Sequence, residues 1–178
     1  MKKILLIICI ILLISFLTNI KKVNSEKIII PKEAIRLRVL ANSNEEIDQK
    51  IKMKLSIELQ KEISSLLKDT ENIEEARIKI KNNIELLNLK AKEILKKENY
   101  DKKFTITFGN NFFPEKKYNG VIYEKGYYES LLVTIGHGEG NNWWCVLFPP
   151  LCLMEANESE TGEIEYKFFV KELIDKYL

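Results

Sequence analysis

Apolar residues recur along this chain first with the period of a strand, then of a helix, then of a strand again. Ile35, Leu37 and Val39 alternate with Arg36 and Arg38, and Leu40 closes the run. Residues 35–40 are therefore expected to form a strand with one face more apolar than the other. Residues 28–30, ended by Pro31, read as a short extended lead-in. Ala41-Asn42-Ser43-Asn44 breaks the alternation, and Ser43 followed three residues later by Glu46 has the form of a capping box. Ile47, Ile51, Leu55, Leu59, Ile63 and Leu66 then keep one stripe while Lys50, Lys54, Glu58 and Lys61 face away. That spacing predicts a helix over residues 44–67. Lys68-Asp69-Thr70 interrupts it, and Asn72 with Glu75 repeats the capping logic. Ile73, Ala76, Ile80, Ile84, Leu87, Ala91, Ile94 and Leu95 predict a second helix over residues 73–97. So short a connection favours an antiparallel helix pair.

Period two returns at Phe104, Ile106 and Phe108. Residues 109–120 read as a turn-rich segment carrying Phe112, Phe113 and Pro114. Further strands are expected at residues 121–123, 127–135 and 143–148, with Glu124-Lys125-Gly126 as a hairpin turn. A polar connector, residues 155–163, leads to an amphipathic C-terminal helix marked by Tyr166, Phe169, Val170, Leu173, Ile174 and Tyr177. Strand, two helices, several strands and a helix predict a single α+β domain over residues 26–178. Its expected form is an antiparallel helix pair packed on a mainly antiparallel sheet, plus the C-terminal helix.

The first 25 residues read as a signal peptide. Lys2 and Lys3 give a positive start, and the apolar run of about 14 residues from Ile4 is broken only by Ser15. That run is too short to cross a roughly 30 Å hydrocarbon core comfortably, and it fits the apolar part of a secretory signal. Val23 and Ser25 stand three residues and one residue before a cut preceding Glu26. An uncleaved anchor, with Lys21 and Lys22 at the interface, is the alternative. Either way the body is expected outside the cytoplasm, touching membrane only through its leader or a receptor. Removing the four leader lysines leaves 24 basic side chains against 26 acidic. No basic excess survives for nucleic acid, so none is expected as a partner. Of the three cysteines Cys9 lies in the leader, leaving Cys145 and Cys152. An even pair in an exported chain, separated by a segment that can reverse at Pro149 and Pro150, is a disulfide candidate. Two buried free thiols are the alternative.

The least ordinary composition is Gly136-His137-Gly138-Glu139-Gly140-Asn141-Asn142-Trp143-Trp144-Cys145. A phosphate-cradling reading fails, because such a loop must open a helix and this one opens a strand ended by prolines. His137 is the only histidine. A triad or a metal site would have to use it, yet no cluster of further ligands accompanies it. No cofactor or metal is expected. Carboxylates on the helices alternate with lysines, as solvated surface charge does. Trp143 and Trp144 are neighbours on a strand and point to opposite faces, one toward the core and one outward or under the glycine loop. A flexible glycine loop beside a large apolar ring is a place where a partner can be held.

Three stretches carry a resemblance: Ile35-Arg36-Leu37-Arg38-Val39-Leu40-Ala41-Asn42-Ser43-Asn44, Tyr128-Glu129-Ser130-Leu131-Leu132-Val133-Thr134-Ile135-Gly136, and Asn142-Trp143-Trp144-Cys145-Val146-Leu147-Phe148-Pro149-Pro150-Leu151-Cys152. Together they resemble the stage II sporulation protein R family, in order from about residue 35 to 153. The resemblance implies a non-enzymatic protein secreted from the forespore into the space between forespore and mother cell. There it would activate a membrane-embedded aspartic protease of the mother-cell membrane, which then processes the pro-sigma-E transcription factor. On this reading Gly136, His137, Gly138, Glu139, Gly140, Asn142, Trp143 and Trp144 are candidates for the receptor contact. His137 departs from the resemblance, an acidic residue being expected there, which argues against its being indispensable. Competing readings are an exported cell-wall protein that binds or hydrolyses glycan, and a structural protein of the spore envelope.

Overall fold

The computed structural model describes residues 28–30, 32–118, 121–151 and 176. The leader, Cys152, the connector 155–163 and all of the expected C-terminal helix except Lys176 lie outside the described residues.

Strand β1 (Ile28–Ile29) and strand β2 (Ile35–Leu40) precede helix α1 (Glu46–Leu67). One side of α1 is apolar at nearly every fourth residue, and Ile51, Leu55, Leu59, Ile63 and Leu67 are buried there. Ile47, placed in the same stripe by its spacing, is exposed. The expected second helix is two: α2 (Ile73–Asn82) and α3 (Ile84–Lys97). Asn72 caps α2 as expected, its side-chain oxygen accepting from the Glu75 N–H at 3.0 Å. The break falls at Asn83, whose side-chain amide donates to the Lys79 carbonyl at 2.8 Å. Such a side chain competes with the helical ladder for backbone partners. The apolar stripe nonetheless runs across the break, burying Ala76, Ile80, Leu87, Ala91, Ile94 and Leu95. Asn99, in the left-handed region at φ 52°, ends α3.

Strand β3 (Phe104–Phe113) runs straight through the segment expected to be turns. It pairs antiparallel with β6 (Gly126–Ile135) from Phe104 opposite Ile135 to Phe113 opposite Gly126. Cross-strand bonding supports the polar middle, where Asn111 Nδ2 donates to Ser130 Oγ at 2.9 Å. Between the two arms, β4 (Lys116–Tyr118) and β5 (Val121–Tyr123) pair antiparallel, leaving Asn119 and Gly120 between them in sequence. Glu124-Lys125-Gly126 is not a hairpin turn, because β5 and β6 belong to different sheets. Strand β7 (Asn142–Phe148) completes the main sheet.

That sheet has the order β3-β6-β2-β7 and is mixed: its central pair, β2 and β6, is parallel and its outer pairs antiparallel. A smaller sheet has the order β1-β5-β4. The fold class is α+β as expected, with three helices among the described residues between β2 and β3 in place of a pair. The helices and one face of the main sheet share a single core that includes Ile35, Leu37, Val39, Leu131, Val133, Ile135 and Ile106. A bidentate ion pair from Arg77 of α2 to Glu129 of β6, at 2.6 and 2.8 Å, holds the helices to the sheet.

Leu55 is wholly buried in that core while Leu89 is exposed. Leu55→Ala is expected to lower unfolding free energy by about 2–5 kcal/mol, and Leu89→Ala by less than about 0.5 kcal/mol. Urea unfolding of the two variants checks both.

Candidate functional site

The chain leaves β6 at Ile135 and must reach β7, but β2 lies between those strands. Residues 136–141 therefore cross the end of β2 and lie against residues 41–44, which leave the same end. The crossing is hydrogen-bonded nearly residue by residue. The Gly136 N–H donates to the Lys103 carbonyl at 2.7 Å, the Glu139 N–H to the Asn42 carbonyl at 3.2 Å and the Gly140 N–H to the Ala41 carbonyl at 3.0 Å. The Gly138 N–H donates to the Ile135 carbonyl at 3.1 Å, and side chains of the 41–44 turn accept two more: Asn42 Oδ1 from the His137 N–H at 3.1 Å, and Asn44 Oδ1 from the Asn141 N–H at 2.7 Å. The expectation of a flexible glycine loop is thus corrected; the loop is clamped.

Its glycines serve the clamp. Gly136 has φ +57°, and a Cβ there would meet Asn42 Oδ1 at 2.1 Å. A Cβ on Gly140 would stand 2.1 Å from the Ser43 carbonyl oxygen. His137 and Glu139 are exposed on the outer side of the clamp. Among the described residues no group of three or more His, Cys, Asp or Glu side chains has a geometry that would hold a metal ion.

Beneath the turn lies a buried carboxylate that the pattern reading missed. Asp48 accepts from Asn42 Nδ2 and Ser43 Oγ, each at 2.7 Å, and from the Tyr100 hydroxyl at 2.5 Å. Burial favours its protonated form, but the hydrogen bonds from Tyr100, Asn42 and Ser43 outweigh it and hold its pKa below the ordinary value. Burial and the neighbouring Asp48 carboxylate push the Tyr100 hydroxyl up. The Ser43–Glu46 capping box does not form, since Ser43 is engaged with Asp48 and accepts from the Glu45 N–H at 3.1 Å. One turn on, Lys52 is buried and donates to Gln49 Oε1 at 2.6 Å and to the Asn141 carbonyl at 3.2 Å. Burial and the charge of Lys116 hold its pKa down. The available signal was spacing: positions 48, 52 and 56 put polar residues on the inward side of α1, where Leu55 and Leu59 are buried.

The two tryptophans part as expected. Trp143 packs against the core shared with the helices. Trp144 lies on the second face of the sheet, its ring centroid 5.3 Å from that of Phe113, with Lys116 Nζ 5.1 Å from its centre. Strands β3 and β7 are the outer strands, so the far end of the β3–β6 hairpin must curl across this face to bring Phe113 there. Arg38 Nη1 donates to the Phe112 carbonyl at 2.6 Å and secures the curl. Asn142, its amide oxygen turned to the donors, accepts from Trp144 Nε1 at 3.1 Å and Arg38 Nη2 at 3.3 Å. Below them the guanidinium of Arg36 is buried 3.6 Å from the centre of the Tyr128 ring. Asn142 thus joins the clamped loop to the Trp144 face. Cys145 is disulfide-bonded.

Fold and site together define a small α+β domain with a preordered loop and a cation–aromatic layer on the sheet face opposite its helices. A family model described as stage II sporulation protein R matches residues 31–158. Stage II sporulation protein R of Bacillus subtilis (strain 168) is 40% identical over 159 residues, covering 89% of this chain and 71% of that protein. No solved structure matches. The chain belongs to the stage II sporulation protein R family, which gives it a role in sporulation.

Gly140→Ala is expected to lower stability by about 1–3 kcal/mol, because the clash is with backbone that the clamp holds in place. Gly109→Ala, with nothing within 4 Å of its added Cβ, is the control, and thermal melting separates them. Asp48 supplies a pH test. Its folded pKa lies below an unfolded value of about 3.9, so its contribution is present above that value and lost as pH falls through the folded pKa. Tyr100 has the opposite sign: its contribution is complete below an unfolded value of about 10 and is lost as pH rises through the folded value. Asp48→Asn is expected to be less stable at neutral pH and flatter in acid than the unchanged protein. Urea titrations at stepped pH measure both arms.

Proposed function

We propose that this protein is the exported signal that activates a membrane-embedded aspartic protease of the mother-cell membrane, leading to processing of the pro-sigma-E factor. Made in the forespore, it acts in the space between the two cells, and it is not itself the protease. Family membership supports the sporulation role, and the leader-like first 25 residues support export.

The observation that carries the contact assignment is the junction at Asn142. There the clamped loop meets Trp144 and Arg38 in one hydrogen-bonded surface. Activation requires that the signal bind the active form of its receptor more tightly than the inactive form, since equal affinity shifts nothing. A surface already ordered loses little conformational freedom when it binds, so more of its contact energy remains to discriminate between the two forms. In this reading the loop Gly136, His137, Gly138, Glu139, Gly140 with Asn142 and Trp144 forms the receptor contact. Trp143 supports it from the core side. A bridge between Cys145 and Cys152 pins the strand that carries both rings.

Co-expression with the protease and a tagged sigma precursor tests the reading. Trp144→Ala is expected to reduce precursor cleavage about tenfold or more, the usual loss for a truncated aromatic anchor, with export unchanged. Full cleavage by an exported Trp144→Ala chain removes that ring from the contact. No cleavage with the unchanged chain present would count against the activating role itself.

A further inference from the structure

A groove of about 130 Å³ opens between the C-terminal end of α1 and β7, and Ile63, Leu67, Val146, Leu147 and Pro150 make most of its lining. Small-molecule sites usually take a few hundred Å³ or more, so this one suits a single side chain inserted from a neighbouring element. Ser64, which also lines it, continues a row formed by Met53, Ile57 and Gln60. Spacings of four, three and four residues put that row on one flank of α1. Met53 and Ile57 are exposed. The other flank is occupied, since Lys54 pairs with Glu98 at the end of α3 and Glu62 with Lys90 within it. Leu151 directly follows Pro150 and is buried, so the rest of the chain sets out from the wall of the groove.

We infer that residues 164–178 of this same chain dock as a helix on the free flank of α1 and into the groove beside β7. Tyr166, Phe169, Val170, Leu173, Ile174 and Tyr177 have the spacing of one apolar helix face. Lys176, off that face, is helical and exposed. A helix of the length this stripe spans, about twelve residues, is marginal in water by itself. Helix at Lys176 therefore draws its stability from packing of the apolar face. The two surfaces match in length, because Met53 to Ser64 and Tyr166 to Tyr177 each rise about 17 Å along a helix. Residues 152–163 reach about 40 Å when extended, enough to lead from Leu151 to either end of the row. Tethering decides between occupants: a segment joined to its site by so short a link acts at an effective concentration of about a millimolar, well above that of a second copy. Exposed Leu86 and Leu89 belong to α3, beyond the occupied flank of α1. The family model ends at residue 158, before the stripe begins, and the docking does not depend on the receptor reading.

Amide hydrogen exchange of the full chain tests the docking. Amides of residues 166–177 are expected to exchange at least about tenfold more slowly than in an unstructured chain. Ile57→Lys and Ser64→Lys place a charge on the docking flank, and each is expected to abolish that protection while amides around Leu55 and Leu59 stay protected. Leu89→Lys on α3 is expected to leave it intact. Leu173→Lys, which alters the segment and leaves α1 as it is, is expected to speed peroxide oxidation of Met53 at least about twofold. Fast exchange of 166–177 in the folded, unchanged chain overturns the docking, as does a Met53 oxidation rate indifferent to Leu173→Lys. Protection that survives both α1 variants, or is lost in Leu89→Lys alone, places the segment elsewhere and overturns the groove assignment. Protection that grows with protein concentration identifies a second copy as the occupant and overturns it equally.

Discussion

A single topological constraint organises the molecule: β6 and β7 are consecutive in sequence but separated in the sheet by β2. The link between them has to pass over the end of β2 at hydrogen-bonding distance from the turn that follows it. Backbone must lie on backbone, which leaves no room for a Cβ at Gly136 or Gly140. It also requires acceptors on the 41–44 side, which Asn42 and Asn44 supply. Asn42 can serve only because its own amide is held from below by Asp48, and Asp48 is held by Tyr100 at the far end of the helices. A chain of hydrogen bonds therefore runs from the end of α3, through the start of α1, to the exposed loop. Partial failure anywhere in such a buried network strands a polar group in a low-dielectric interior, where it carries its full desolvation penalty.

The sheet divides its faces sharply. The helix side is mostly aliphatic, with Phe148 in its core and Phe104, Phe108 and Trp143 packed against it. The other side holds Arg36, Arg38, Tyr128, Phe113 and Trp144, where guanidinium groups lie against aromatic rings in place of an aliphatic layer. Burial alone holds the Arg38 pKa below its ordinary value, while the Phe112 carbonyl and the aromatic faces receive its guanidinium. Alternation along β2 produces this arrangement directly, since Ile35, Leu37 and Val39 go one way and Arg36 and Arg38 the other. The same rule separates Trp143 from Trp144.

What could be read from the chain alone follows from which interactions are local. Strand β2, the stripe of α1, the cap at Asn72 and the parting of the tryptophans depend on periodicity or on residues three apart, and all were legible. The extension of β3 through Gly109, Asn110 and Asn111 was not. Those residues favour turns by themselves and become strand only because Ser130, Glu129 and Tyr128 lie opposite. Nor was the parallel pairing of β2 with β6, which depends on where the chain returns after three helices. The break at Asn83 was hidden because the apolar stripe continues through it. At the loop the residue types were legible but their purpose was misjudged. Glycines at every second position suggest freedom, whereas here they are the consequence of close approach. The distinction lies in residues 41–44, nearly a hundred positions earlier in the chain, and no local pattern contains it.

Rigidity of this kind fits the proposed signalling role better than a mobile loop would. A protein that switches a receptor can contribute only the difference between its affinities for the two receptor states. A flexible loop adapts to both states and so narrows that difference, besides losing conformational entropy on each encounter. A loop fixed by its own fold fits one receptor geometry and mismatches the other. The cost of fixing it is met once, at folding, by burying Asp48 with a full set of partners. In the proposed role, stability of the domain and selectivity of the signal depend on the same few hydrogen bonds, and a change that loosens the clamp without unfolding the chain is expected to erode discrimination before it erodes binding.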